Sequence, residues 1–243
     1  MESLLQVSDL RIRYETKVAV DGISFTVNPG EIIGLLGPNG AGKSSTIRAI
    51  CGIVPPTSGS IITCGVNAAE APFEVKRRVG YVAEDAALID VFTPLEYFRF
   101  LGDLRELEAG LVKERGLALL AELRLEEDAL NKRMGGFSKG MKQKVAIAAA
   151  LLHDPHLVLL DEPLNGLDVE STGRFKELLA TFAKRGGAIV YCSHLVDVME
   201  RFVPRVLIVQ QGKLKADIAM AELIQQDGSL EAAFTRVTTE AEA

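Results

Sequence analysis

The stretch of sequence that decides the fold is Gly37-Pro38-Asn39-Gly40-Ala41-Gly42-Lys43-Ser44. It matches the phosphate-binding loop G-x-x-x-x-G-K-[ST], whose glycines let backbone N–H groups curl around an anion. The apolar run 31–36 before the loop predicts a buried strand, and residues 44–50 after it predict a helix, which is the context that this loop requires. The dinucleotide fingerprint G-x-G-x-x-G does not match the order of these glycines. The stretch therefore predicts a site for the phosphates of a nucleotide.

Two side chains of this loop are expected to act on the phosphates. Lys43 brings a mobile positive charge to the β- and γ-phosphates, and the Ser44 hydroxyl is suited to hold Mg²⁺. The helix that follows points the positive end of its dipole at the same anion. The alternative is a glycine-rich turn without a ligand, and the flanking strand and helix make it the weaker explanation.

Composition limits the classes of protein and partner. The chain has 243 residues, 48% of them hydrophobic, which suffices for one large domain or two lobes. Its 27 Lys and Arg against 33 Asp and Glu give a formal net charge of −6, whereas nucleic-acid-binding proteins usually carry a basic excess. No apolar run reaches the ~20 residues of a membrane-spanning helix, and residues 1–3 do not begin a signal peptide. We expect a soluble protein that stays where it is made and binds no nucleic acid.

The cysteines and two of the histidines are predicted to be structural. Cys51, Cys64 and Cys192 are far apart and odd in number, so the sequence supports neither a disulfide framework nor a metal site. Buried thiols are expected instead. His153 and His156 lie at a predicted helix end, where a favourable interaction with the helix dipole explains them.

Hydrophobic periodicity divides the chain into strand-rich and helical parts. Residues 4–14 and 18–27 alternate apolar and polar side chains, which predicts two antiparallel strands. From Phe92 the period becomes helical, and Thr93 with Glu96 forms a capping box. Further strands are predicted at 60–64, 79–82, 157–160, 188–192 and 206–209, and further helices at 111–123, at 170–184 and from Ser138. The pattern predicts a two-lobed α/β molecule with a helical insert, and a loose tail at 238–243.

A second pair of functional residues follows the apolar run 157–160. A buried parallel strand there would deliver Asp161 and Glu162 to the carboxyl edge of the sheet, where ligands bind in open α/β folds. Asp161 is predicted to help hold Mg²⁺ through a water, and Glu162 to polarise the water that attacks the γ-phosphate. Two acids after a strand can also form a solvated turn, but the phosphate loop elsewhere in the chain favours the catalytic interpretation.

Residues 137–143, Phe-Ser-Lys-Gly-Met-Lys-Gln, resemble the signature motif L-S-G-G-Q of ATP-binding cassette (ABC) transporters. The chain resembles the nucleotide-binding subunits of that family, in its bacterial, exporter-type branch. The resemblance implies that two subunits pack head to tail, so that Ser138 and Gly140 of one complete the ATP site of the other. The positive charge of Lys139 opposes the dipole of the helix that it begins. This charge is expected to become favourable once a γ-phosphate arrives from the partner. A solvated surface lysine is the alternative.

Further roles follow from the same resemblance. Tyr14 resembles the aromatic residue that stacks on adenine, although a half-exposed strand tyrosine would look the same. Asp168 matches an aspartate that crosses the dimer interface, or it caps the helix after it. His194 matches the switch histidine that contacts the γ-phosphate and Glu162, whereas a lone histidine is more often structural. The predicted catalytic residues are thus Glu162, His194 and Lys43.

The cofactors that the resemblance implies are ATP and Mg²⁺. The predicted nucleotide-binding residues are Tyr14, Gly37, Pro38, Asn39, Gly40, Ala41, Gly42, Lys43, Ser44, Ser45, Glu84, Ser138, Gly140, Asp161 and Asp168. The predicted Mg²⁺ ligands are Ser44, Asp161 and Glu84. Glu84 departs from the family, since most members have glutamine there; a carboxylate can bind Mg²⁺ but cannot donate a hydrogen bond. The combination of glutamate at this position with this form of the signature resembles the sequences of ABC exporters of drugs, polysaccharides and other large or apolar cargo.

The resemblance also implies a domain plan and a cellular role. One ABC ATPase domain over 1–243 is expected, with a P-loop NTPase core at about 1–86 and 157–220, a helical subdomain at about 87–156 and a helical tail at about 219–243. The core is expected to combine a mixed sheet with an antiparallel β subdomain.

The implied function is ATP hydrolysis that drives a separately encoded membrane permease. A homodimer is expected on the cytoplasmic face of the membrane. The family docks its permease near 86–100, where Leu88, Ile89, Val91 and Phe92 form that surface or belong to the core. The alternative function is a soluble ABC ATPase in cofactor assembly or translation regulation.

Overall fold

The structure is a computed structural model that describes residues 2–239. Its strands are β1 Leu5–Tyr14, β2 Lys17–Val27, β3 Ile32–Leu36, β4 Ser58–Thr63, β5 Val66–Asn67, β6 Val79–Val82, β7 Leu157–Asp161, β8 Ala188–Cys192, β9 Arg205–Gln210 and β10 Lys213–Ala219. Its α-helices are α1 Lys43–Ile50, α2 Pro72–Arg78, α3 Pro94–Leu104, α4 Ala109–Glu122, α5 Lys139–Leu151, α6 Val169–Lys184, α7 Val196–Phe202, α8 Met220–Asp227 and α9 Leu230–Thr239. Two short 3-10 helices, Glu127–Asn131 and Met134–Gly136, lie between α4 and α5.

A six-stranded sheet, in the order β10-β9-β3-β8-β7-β6, carries the predicted phosphate loop. The strands from β9 to β6 pair in parallel, and β10 adds an antiparallel edge. Every residue of β7 and β8 is buried, because helices or a second sheet cover both faces of such strands. This confirms the expected α/β class with a mixed sheet.

The second sheet is antiparallel, in the order β2-β1-β4-β5. Its long hairpin pairs Leu5 with Val27 and Tyr14 with Lys17, and β4 pairs with the other side of β1. These strands confirm the expected antiparallel elements to within two residues at each end, since alternating apolar side chains turn to one buried face.

Two hydrophobic clusters lie on opposite faces of the parallel sheet. In β7, Leu157 and Leu159 belong to the cluster shared with the antiparallel sheet and α1, whereas Val158 and Leu160 belong to the cluster shared with α5 and α6. Successive side chains of a strand point to opposite faces, so one apolar strand joins both clusters. The parallel sheet is therefore held rigidly from both sides at the level of the candidate site.

The helical insert contains α3, α4 and α5. Thr93 Oγ1 accepts from the Glu96 amide at 3.3 Å and Glu96 Oε2 accepts from the Thr93 amide at 2.8 Å, so the predicted capping box is confirmed. Ser138 caps α5 by accepting from the Met141 amide at 3.2 Å. The division of the chain into core and helical subdomains stays a prediction.

The predicted loose tail is wrong for residues 238 and 239, which belong to α9, and residues 240–243 lie outside the described part of the chain, as does Met1. Leu230 and Ala233 are buried, and Gln210 Nε2 donates to the Thr238 carbonyl at 3.1 Å. The apolar periodicity of this segment buries one face of the helix and orders it. Within residues 2–239, no helix combines the length and the apolar character needed to cross a bilayer.

The helix-dipole explanation of His153 is wrong. Burial lowers the pKa of His153 to about 4, so the imidazole is neutral at physiological pH. Its Nε2 lies 3.2 Å from the Val79 carbonyl, and because a carbonyl only accepts, Nε2 carries the proton. The side chain is a neutral donor in the fold.

His153 is expected to make the protein less stable as the pH falls from about 6.5 to about 4. The unfolded imidazole binds a proton in this range and the folded one does not, so protonation favours the unfolded state. His153→Gln keeps a neutral donor. It should remove on the order of 1–3 kcal/mol of the acid-induced decrease in the free energy of unfolding. Urea unfolding from pH 7 to pH 4 measures it, with the exposed His156→Gln as control; equal pH slopes for wild type and His153→Gln would contradict the assignment.

Candidate active site

Three parallel strands end side by side and carry the predicted functional segments. In the register of the sheet, Leu35 of β3 pairs with Cys192 of β8, and Cys192 pairs with Asp161 of β7. The phosphate loop follows β3, Glu162 follows β7 and His194 follows β8. Because parallel strands share one carboxyl edge, three segments distant in sequence meet there.

The phosphate loop depends on two glycines that pack against backbone. A Cβ on Gly37 would lie 2.2 Å from the Val209 carbonyl oxygen, and one on Gly42 would lie 2.4 Å from that of Ala19. Gly42 also has a φ of 107° at the start of α1, a conformation that glycine adopts without strain. The loop is thereby seated between β9 and β2, so its curvature is fixed by packing.

Lys43 is held within this loop. Its ammonium donates to the Gly37 carbonyl at 2.6 Å and to the Pro38 carbonyl at 3.2 Å, and the residue is only 8% exposed. The positive charge is therefore positioned beside the cradle rather than in bulk solvent. A phosphate placed there would meet a cation with few other partners.

A cavity of about 290 Å³ lies over the loop. The residues that line it are Tyr14, Lys17, Ala19, Asn39, Gly40, Ala41, Gly42, Lys43, Ser44, Ser45 and Glu84. The structure thus brings Tyr14 and Glu84 to the loop. Lys17 also lines the cavity and was not predicted as a site residue. Its position across the β1–β2 turn from Tyr14 was the signal that could have indicated it.

Tyr14 stands at the rim of this cavity. Its hydroxyl lies 3.4 Å from the Ser45 hydroxyl, and the residue is 41% exposed. An exposed aromatic face beside a phosphate loop can stack on a base.

Glu162 is the most heavily constrained side chain of the site. It is 7% exposed, and its carboxylate accepts from Ser193 Oγ at 2.8 Å, from the His194 amide at 2.8 Å and from His194 Nδ1 at 2.6 Å. Its φ of 50° lies in the left-handed region, which is uncommon for a residue other than glycine. Backbone strain of this kind persists only where surrounding contacts enforce it.

The Glu162 contact also sets the orientation of His194. A carboxylate only accepts, so Nδ1 carries the ring proton and the other ring nitrogen is left to act elsewhere. The His194 side chain is 55% exposed. Ser193, which was not predicted, donates to the second carboxylate oxygen of Glu162; its hydroxyl directly before His194 was the available signal.

Ser138 and Gly140 are placed by the start of α5 and by contacts with the segment after Glu162. Neither residue is among those that line the cavity over the loop. Gly140 instead packs against the segment after Glu162, where a Cβ on Gly140 would lie 2.3 Å from the Gly166 carbonyl oxygen. Lys139 is exposed at the start of α5, which fits both the role towards a partner's phosphate and the solvated surface lysine.

Asp168 caps α6. It accepts from the Ser171 amide at 2.7 Å and from the Ser171 hydroxyl at 2.8 Å, and the Lys144 ammonium lies 3.4 Å away. These contacts, the Ser171 hydrogen bonds first, lower the pKa of Asp168 to about 2. The capping interpretation is confirmed, and the role across an interface stays a prediction.

Gln143 was missed by the sequence analysis. Its Nε2 donates to the Pro163 carbonyl at 3.0 Å, and the residue is 1% exposed. Lys144 donates to the Arg124 carbonyl at 3.0 Å while it faces Asp168. Two buried polar residues thus join α5 to the segment after Glu162; their position beside the apolar stripe of α5 was the signal.

The oxygen donors suit Mg²⁺ that is bound together with phosphates. Asp161 is 3% exposed at the end of β7, and the Ser44 hydroxyl lines the cavity. Within residues 2–239, no cluster of three or more His, Cys, Asp and Glu could hold a metal by itself. Magnesium commonly binds through one or two protein oxygens, waters and substrate phosphates, so this sparse donor set fits it.

Residues 20–165 match the ABC transporter family. The chain belongs to the ABC transporter family. It is 34% identical over 231 residues to the ABC transporter ATP-binding protein NatA of Bacillus subtilis, covering 93% of this chain and 94% of NatA. It is an ATP-binding, ATP-hydrolysing ABC subunit.

Solved structures of the same fold support the assignment. One, described as the ATP-binding subunit of an ABC transporter, has a TM-score of 0.91 and 33% identity, and the match covers 97% of this chain and all of that one. Another is a dimeric ATP-binding cassette in a post-hydrolysis state bound to ADP and Pi, with a TM-score of 0.83 and 23% identity over 89% of this chain and 98% of that chain. This second likeness shows the fold alone.

Removing the Glu162 carboxylate should stop ATP turnover by this ABC ATPase. Glu162→Gln should lower kcat by at least about 100-fold and retain ATP affinity, because the amide cannot accept a proton. His194→Ala should also lower kcat strongly without loss of ATP binding. Steady-state phosphate release and fluorescent ATP titration measure the two effects, with His156→Ala as control. Retained turnover in Glu162→Gln would refute the prediction that Glu162 is the general base. Lost ATP binding in His194→Ala would indicate a structural histidine.

Gly140→Ala should damage the signature segment. The added methyl meets the Gly166 carbonyl oxygen, so the start of α5 and the segment after Glu162 must move apart. We expect ATPase activity to fall at least about tenfold while ATP affinity of the single subunit changes little. Gly173→Ala, where a Cβ meets nothing within 4 Å, is the control in α6. Equal activity in the two variants would contradict the expectation.

Proposed function

We propose that this ABC ATPase binds Mg·ATP between two copies that face in opposite directions, and that their closure drives a separately encoded membrane permease. The observation that supports the proposal is that Ser138 and Gly140 do not line the phosphate cavity of their own chain, whereas the register of β3, β8 and β7 brings Glu162 and His194 to the sheet edge that carries the phosphate loop. One copy supplies the phosphate loop, Glu162 and His194, and the other supplies the signature. Neither half is complete alone.

The phosphate loop and Tyr14 bind the nucleotide in this proposal. Tyr14 stacks on adenine, loop amides and Lys43 hold the phosphates, and the remaining loop residues shape the cradle. Ser44 and Asp161 would hold Mg²⁺, and Glu84 would be a further oxygen donor. When bound, Mg²⁺ neutralises charge that develops on the phosphates.

Glu162 and His194 carry the hydrolytic step. Glu162 accepts a proton from a water whose oxygen forms a bond to the γ-phosphorus, and the bond from that phosphorus to the bridging oxygen breaks to leave ADP and phosphate. Ser193 and His194 keep the carboxylate oriented through their hydrogen bonds. His194, fixed by Glu162, presents its other ring nitrogen towards the γ-phosphate.

Exposed residues near the site support a partner face. Val169 directly follows Asp168 and is 91% exposed, and Leu195 directly follows His194 and is 39% exposed. Lys139 is exposed in the first turn of α5. Its positive charge there is repelled by the positive end of the helix dipole. A γ-phosphate from a second copy would compensate this positive charge. Asp168 faces the same partner from its capped position.

A permease partner accounts for the apolar surface near 86–100. Val91 is 62% exposed, whereas Leu88 and Phe92 are half-buried against the core. This segment therefore packs on the core with some side chains and exposes others to a partner.

We place the subunit on the cytoplasmic face of a membrane, with Glu84 near the γ-phosphate side of the site. The signature and Glu84 favour export of large or apolar cargo.

ATP hydrolysis should depend on dimer formation. Specific activity should fall when the subunit is diluted below its dimerisation constant, and ATP should shift Glu162→Gln to the dimer in size-exclusion chromatography. Full activity that is independent of concentration would refute the proposal.

Lys139→Glu tests the proposed contact between Lys139 of one copy and the γ-phosphate bound to the other copy. A glutamate in the first turn favours the helix dipole, so stability should hold or rise, while repulsion of the γ-phosphate should weaken ATP-driven dimerisation by at least about tenfold. Lys113→Glu, with the same charge change on α4, is the matched control. Equal losses of monomeric ATP binding and dimerisation would contradict the trans role of Lys139.

A further inference from the structure

Lys17 is a cation of the cavity over the phosphate loop that the predicted site does not include. It pairs with Tyr14 across the β1–β2 turn, and directly paired residues of an antiparallel ladder point their side chains to the same face. The alternation of side chains along β2 gives the same direction, because Lys17 and Ala19 line this cavity whereas Val18 lines a different one. The Lys17 side chain therefore lies over the phosphate loop, beside Tyr14.

Within the described residues 2–239, no carboxylate forms an ion pair with Lys17. Lys213 of β10 differs in this respect, since its ammonium lies 3.5 Å from the Asp21 carboxylate. Lys17 is exposed at the end of the hairpin. An unpaired ammonium on the wall of a cavity stabilises an anion that binds there.

The same cavity contains a negative charge that the family resemblance does not lead one to expect. Glu84 stands in place of the usual glutamine, and it is the one acid among the described residues that line the cavity. It is exposed, and no Lys or Arg within residues 2–239 forms an ion pair with it. Its carboxylate repels the phosphates of a nucleotide in this cavity. Lys43, the other cation of the lining, already donates to the Gly37 and Pro38 carbonyls.

We propose that Lys17 binds the α-phosphate of the nucleotide and that its charge offsets the charge of Glu84 in the same cavity. The inference rests on the proposed function, because it takes a nucleotide stacked on Tyr14 as the ligand. With the base on Tyr14 and the β- and γ-phosphates at Lys43, the α-phosphate is the phosphate nearest to the β1–β2 hairpin. A lysine ammonium binds phosphate as a point charge with three rotatable donors. One hairpin thus binds both the base and the first phosphate.

Nucleotide titrations of the single subunit in EDTA test the contact of Lys17. Chelation of Mg²⁺ prevents hydrolysis, and ATP or ADP displaces a fluorescent nucleotide. Lys17→Met should weaken the binding of ATP and of ADP by the same factor, about fivefold, because both carry the α-phosphate. Lys17→Arg should keep most of the affinity. Lys215→Met, at an exposed strand lysine that does not line the cavity, should leave it unchanged.

A second charge change tests the offset between Lys17 and Glu84. Without Mg²⁺, Glu84 acts on the phosphates through its charge alone, so Glu84→Gln should strengthen ATP binding about threefold. The double variant Lys17→Met with Glu84→Gln should bind ATP within about twofold of the wild type. Added salt should weaken ATP binding less in Lys17→Met than in the wild type, since one charge contact fewer remains to be screened. A lysine that only supports the hairpin would not change this salt dependence.

The failure of this inference is distinguishable from the failure of the proposed function. Unchanged ATP affinity in Lys17→Met, or a loss for ATP that ADP does not share, overturns the α-phosphate contact and leaves the dimeric ATPase standing. A double variant that binds ATP no better than Lys17→Met overturns the offset. The comparison of wild type with Lys17→Met is repeated with ADP and Mg²⁺, and a wild type that binds nucleotide in neither condition overturns the proposed function. Thermal unfolding midpoints without nucleotide establish that each variant folds.

Discussion

The parallel pairing of β3, β8 and β7 brings the phosphate loop, His194 and Glu162 to one edge of the sheet. The hydrogen-bond register fixes where each strand ends, and the two hydrophobic clusters hold the sheet from both faces. The segments that follow the strands therefore have little freedom to move relative to one another. A slip of one residue would exchange the side chains of β7 and β8 between the two clusters, so the register is tied to the close packing of both faces.

A second set of contacts ties the hydrolytic residues to the signature helix. Gln143 bonds the Pro163 carbonyl, and Gly140 packs on Gly166, so α5 is attached to the segment that begins at Glu162. A movement of the start of α5 would therefore reach the segment that begins at Glu162 without passing through the sheet. A groove lined by Arg105 borders the other side of α5 through its alanines. One helix thus adjoins both the segment after Glu162 and this groove.

Much of the site could be predicted because its residues act through local patterns. The order of glycines before Lys43, and the acids after an apolar strand, carry their meaning within about eight residues. The capping box at Thr93 and the cap at Ser138 are equally local. Gln143 and Ser193 could not be assigned in this way, since their hydrogen-bond partners lie 20 and 31 residues away in the sequence. His153 was misjudged because burial, which a helix end does not reveal, sets its charge.

The sequence alone determined the family, the phosphate loop, the pair Asp161 and Glu162, and the alternation of strands with a helical insert. These features depend on spacing along the chain, which folding does not change. Only the tertiary structure decided that Glu162 takes a left-handed backbone and three hydrogen bonds, and that Ser138 and Gly140 do not line the phosphate cavity of their own chain. Such properties arise from burial and long-range contact, since desolvation and the choice of partner exist only once the chain has packed.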